Sequence, residues 1–141
     1  MASTPFYKVI DHTADIGIEV KGSTREEVFI RCGLAMFDLM VGLESVGKDV
    51  PKPLSVTGEN PTELLVAWLN ELLYFYAVER IVFSGFADAQ LGEQSFRAVG
   101  CGEHFNPDKH RGELEIKAAT YHDVSLARTG DGWTARVIFD V

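Results

Sequence analysis

Asp140 and Val141, the last two residues, follow a strand-like alternating run, and this brings a side-chain carboxylate, a main-chain carbonyl and the terminal carboxylate close together. Such hard oxygen donors suit Ca²⁺ or Mg²⁺, whereas structural Zn²⁺ sites prefer Cys and His. Two other clusters carry titratable groups: Asp11-His12-Thr13-Ala14-Asp15, and the stretch from Lys117 to Tyr121-His122-Asp123. If Asp15 opens a strand beside the last one, its carboxylate converges with Asp140 and the terminal oxygens. Like charges that close either raise their pKa values or draw in a cation. Taken singly, the same residues have plainer roles: Asp15 caps a turn, Asp140 is solvated at a frayed end, His12 and His122 are hydrogen-bonded structural groups, and Lys117 is an exposed strand charge opposite Glu115. A catalytic reading also fits, in which the His12/Asp15 and His122/Asp123 pairs serve a small metal-dependent hydrolase as general base and mixed ligands. It takes second place, because the sequence has no HExxH, nucleophile elbow, P-loop or strand-borne GxGxxG.

The elements that would position these groups can be read from periodicity. Phe6 to Ile10 is expected as a strand, and Ile16, Ile18 and Val20 define the inner face of a second. Ser23 and Glu26 have the spacing of a capping box before a helix from Arg25 to Val41, which Gly42 stops. Pro51 and Pro53 restrict the following loop to one short strand around Leu54 to Thr57. Asn60-Pro61-Thr62-Glu63 caps a second helix, Pro61 to Val78, whose apolar residues run almost all round, as in a helix buried on most sides. Strands are expected at Ile81 to Phe83, Phe86 to Leu91 and Gln94 to Cys101, followed by a polar loop from Gly102 to Gly112. An interrupted strand from Leu114 to Leu126 comes next, and a hairpin turning at Gly130-Asp131-Gly132 ends the chain. Two helices among about seven strands without regular alternation predict an α+β fold, with the helices packed on a largely antiparallel or mixed sheet in a single-domain sandwich spanning 1–141.

Composition narrows the function classes. The 141 residues are enough for one domain with a substantial core. A formal charge of −8, with thirteen basic residues scattered along the chain, argues against a surface that grips nucleic-acid phosphates. No apolar run approaches a membrane span and no export signal is visible, so a cytoplasmic protein that does not engage membranes is expected. Cys32 and Cys101 lack metal-ligand spacing and are expected to be reduced core thiols.

Taken together, DHTADIGIEV, IKAATYHDV and the terminal FDV resemble the archease family along the whole chain. The resemblance implies a protein cofactor and no independent catalyst. Archeases assist the GTP-dependent RNA ligase of tRNA splicing, promoting guanylylation of the ligase's active-site histidine and repeated turnover. It also implies a metal site formed by Asp15, Asp140 and Val141, with Ca²⁺ the first expectation and Mg²⁺ or Mn²⁺ the alternatives. Lys117, Tyr121, His122 and Asp123 match the second motif and are candidates for contact with the ligase or its nucleotide. His12 belongs to the first motif and is a further contact candidate, with its role and that of Asp11 open. RNA would be met only through the ligase.

Overall fold

The computed structural model describes residues 6–12 and 14–141; the side chains of Asp11 and His12 lie outside the described residues, as does all of Thr13. Strands β1 (Tyr7–His12) and β2 (Asp15–Gly22) form an antiparallel pair, followed by helix α1 (Arg25–Val41). The cap of α1 lies one residue later than the spacing suggested. Thr24 accepts from the Glu27 N–H at 3.1 Å, and Glu27 reaches back to the Ser23 N–H at 3.2 Å. Gly42, at φ 76°, ends the helix by returning its N–H to the Asp38 carbonyl, a left-handed turn that a side chain would disfavour.

Strand β3 (Val50–Thr57) is longer than expected and holds both Pro51 and Pro53, which is tolerated because it is an edge strand paired only with β5. Helix α2 (Pro61–Glu79) starts at an Asn60 side-chain cap with proline at its first position and ends at Arg80, which adopts a left-handed conformation at φ 56°. Strand β4 (Ile81–Leu91) runs unbroken where two strands were expected. Bulges at Phe83/Gly85 and Ala87/Gln90 absorb the irregular pattern. Strand β5 (Ser95–His104) extends into the segment read as polar loop.

Between Leu114 and Leu126 the expected strand shrinks to β6 (Ala118–Ala119), and β7 (Ser125–Thr129) then pairs with β8 (Gly132–Asp140). Asn70 of α2 donates to the Ala119 carbonyl and accepts from its N–H, covering the edge of β6 that faces away from β8, and the Glu113 N–H is held by the Met40 carbonyl at the end of α1.

Every strand pairing among the described residues is antiparallel, and the strands divide into two sheets, β1-β2-β8-β6 with β7 also on β8, and β3-β5-β4. Helix α1 packs on β2 and β8 of the first sheet and on β4 of the second. Helix α2 meets all three strands of the second sheet and β6 and β7 of the first. The helices therefore lie between the sheets, which explains why α2 is apolar almost all round. Trp68 sits at the centre, fully buried, with ring centroids of Phe96 and Phe86 at 4.7 and 5.2 Å and its indole N–H on the Phe29 carbonyl at 3.0 Å. Cys32 is a buried free thiol whose pKa burial pushes well up, and Cys101 is free and half-buried.

Candidate metal centre and contact surface

The sheet register brings the first and last motifs together. Asp15 opens β2 directly opposite Asp140 on β8, and His12 of β1 is registered on Asp15 from the other side. Opposed residues in an antiparallel pair project to one face with Cβ atoms about 4.5–5.5 Å apart, so two carboxylates share one small volume. Next to them on the same face the strands carry Gly17 and Ile138. Ile138 is 1% exposed and crosses over Gly17, where a Cβ would come within 2.7 Å of its side chain. Any larger residue at 17 would force Ile138 to shift.

The second motif joins the same end of the sheet through backbone bonds. The Lys117 N–H donates to the Asp140 carbonyl at 2.8 Å, Ala118 is registered on Asp140, and Thr120 donates both its N–H and its hydroxyl to the Ile138 carbonyl. The chain then turns through Asp123 at φ 53° and sets Tyr121, His122 and Asp123 on an exposed loop. His122 Nε2 lies 3.3 Å from Asp123 Oδ2, and both side chains are at least 60% exposed. This pair of the hydrolase reading lies open to solvent, and the His12 side chain of the other pair lies outside the described residues.

The donor set suits a hard cation. Among the described residues no group of three or more His, Cys, Asp and Glu side chains surrounds one point. Asp15 and Asp140 would thus supply two carboxylates, and main-chain oxygens of Val141 would have to complete the shell with water. The His12 side chain, a contact candidate, lies outside the described residues.

A second titratable cluster, read from sequence as polar loop, ties down the end of β5. His110 is 1% exposed and sits 2.6 Å from Glu103 Oε1. Its Nδ1 accepts the Asn106 N–H at 2.9 Å, so the hydrogen-bond network assigns the proton to Nε2, which donates to Glu103. Lys109 and the Gly47 N–H also bind this carboxylate, and together with His110 they hold its pKa down from 4.5 to about 2, Lys109 having the largest effect. A folded pKa below the unfolded one contributes stability that is complete above pH 4.5 and is lost as pH falls toward 2. Acid titration of folding should therefore show a decline across that window that is smaller in Glu103→Gln, and equal declines would remove Glu103 from acid sensitivity. The only sequence signal was an acidic residue ahead of Lys109 and His110, with nothing to show that the loop folds back on β5.

Fold and site together define a class: a small α+β protein with two antiparallel sheets around two helices, presenting a carboxylate pair at one end of a sheet. The Archease protein family model matches residues 7–141. Protein archease of Methanosarcina acetivorans is 40% identical over 139 residues, covering 96% of this chain and 95% of the relative, and that of Pyrococcus furiosus is 40% identical over 135 residues, covering 93% and 95%. The chain belongs to the archease family. The solution structure of protein 1598 from Methanobacterium thermoautotrophicum superposes with a TM-score of 0.85 at 30% identity, covering 98% of this chain and 100% of that one. A Thermotoga maritima crystal structure, described as an archease and possible chaperone, shares the fold with a TM-score of 0.66 at 23% identity, covering 95% and 96%. Among the described residues no helix is long and apolar enough to cross a membrane.

Proposed function

We propose that this archease is a non-catalytic protein cofactor of the GTP-dependent tRNA-splicing RNA ligase in the cytoplasm, and that it promotes guanylylation of the ligase's active-site histidine and multiple turnover. The observation that carries this reading is the direct opposition of Asp15 and Asp140 at an exposed sheet end, in a chain that belongs to the family. A divalent cation, Ca²⁺ first and Mg²⁺ or Mn²⁺ next, would neutralise the pair and supply a positive centre for anionic groups. The pair and the Val141 oxygens would hold that position. Lys117, Tyr121, His122, Asp123 and His12 contact the ligase or its nucleotide, and RNA is reached only through the ligase. Binding biases the ligase toward the guanylylation-competent state, by no more than the difference in affinity for its two states.

The test is a reconstituted guanylylation reaction with and without this chain. Substoichiometric amounts should raise ligase turnover, the chain alone should turn over nothing, and Asp140→Ala should lose most of the stimulation. Full stimulation by Asp140→Ala would take the carboxylate pair out of the mechanism.

A further inference from the structure

Asn70 shares its turn of α2 with the buried Leu69, Leu72 and Leu73, on a helix that is apolar almost all round. Its carboxamide goes to main chain remote in sequence. Nδ2 donates to the Ala119 carbonyl at 3.1 Å, and Oδ1 accepts the Ala119 N–H at 2.9 Å. Because a backbone N–H can only donate, these two bonds fix which end of the amide is which. The side chain therefore does for Ala119 what a neighbouring strand would do, on the edge of β6 turned away from β8. Ala119 is 5% exposed, so water is a poor substitute for either bond. Aspartate at 70 would turn an acceptor toward the carbonyl, and leucine would satisfy neither group.

Ala119 is the middle of the second motif, with Lys117 two residues before it and Tyr121 two after. From the opposite side the same segment is held to β8, by the Lys117 N–H on the Asp140 carbonyl and by the Thr120 N–H and hydroxyl on the Ile138 carbonyl. Residues 117–120 are thus gripped between the strand that carries Asp140 and a helix in contact with both sheets. A side chain on so firmly packed an element is a precise support for a neighbouring site. Beyond Thr120 the chain passes into the exposed loop of Tyr121, His122 and Asp123.

We infer, on the functional reading above, that Asn70 is a positioning residue for activation of the ligase. Through Ala119 it sets where Lys117 and Tyr121-His122-Asp123 stand relative to the Asp15/Asp140 pair, without itself touching the ligase.

Amide hydrogen exchange of the purified chain and guanylylation of its ligase are measured for wild type, Asn70→Leu and Asn70→Asp, with circular dichroism to show each folded. In both variants exchange at 117–121 should quicken about tenfold, the factor for the net worth of one hydrogen bond, while α2 and β8 keep their protection. A merely structural role would loosen α2 itself. Stimulation at a fixed subsaturating concentration should fall about tenfold, the lower end of what losing an outer supporting bond does to a site. If a folded variant stimulates as well as wild type, Asn70 has no positioning role and the cofactor reading stands. The role is also overturned if exchange quickens along the whole of α2, or if neither variant folds. If wild type does not stimulate, the cofactor reading falls, and the role of Asn70 in activation falls with it.

Discussion

Trp68→Ala is expected to cost about 3–5 kcal/mol of folding stability, the range for removing a large aromatic from a packed core. The ring is fully buried, meets Phe86 and Phe96 edge-on, and lies on a helix in contact with both sheets. Little relaxation can fill its space, because those contacts come from elements held by their own ladders. Truncation also removes the indole N–H bond to the Phe29 carbonyl, which keeps its place in the hydrogen-bond ladder of α1. Trp68→Phe keeps part of the volume and loses the donor, so its cost should fall between wild type and Ala. Urea denaturation of the three proteins measures the series. A Trp68→Ala value within about 1 kcal/mol of wild type, the ordinary effect of a point mutation, would mean that the two-sheet core does not depend on this residue.

The second large effect concerns the carboxylate pair and depends on the cation. At a Ca²⁺ concentration a hundredfold above its dissociation constant, the wild type should gain about 2.7 kcal/mol of stability. Asp140→Asn and Asp15→Asn should each lose most of that gain. In chelator the order reverses for Asp140→Asn. Like charges directly opposite in a sheet cost about 0.2–1 kcal/mol, so that variant should match or exceed the wild type. Thermal melts with Ca²⁺ and with chelator test both halves. An undiminished Ca²⁺ shift in both variants would place the cation elsewhere, and a wild type without any shift would leave the pair without a metal role.

Most of the elements were legible because local patterns encode them. Asn60-Pro61-Thr62-Glu63 announced α2, and the alternation of Trp133, Ala135, Val137 and Phe139 announced β8. Thr24 in place of Ser23 as the cap of α1 is a one-residue shift between two chemically similar candidates. The failure between Leu114 and Leu126 has another origin. Its alternating residues suit a strand, but only Ala118–Ala119 pair with β8, and the contacts that place the segment, to Asn70 and Met40 among them, are remote in sequence. The same remoteness hid His110, whose burial depends on loop 105–112 closing over Glu103.

For the candidate site, the sequence by itself determined the chemistry: carboxylates at 15 and 140, and a Lys-Tyr-His-Asp set after residue 116. Residue type fixes donor hardness and charge without reference to the fold. Only the tertiary structure decided that Asp15 faces Asp140 and that Gly17 lets Ile138 lie close against β2 beside them. Those facts depend on sheet register between strands more than a hundred residues apart. A slip of one residue would send each side chain to the opposite face, and the buried inner face of β8 rules out that slip by holding Val137 and Phe139 in the core.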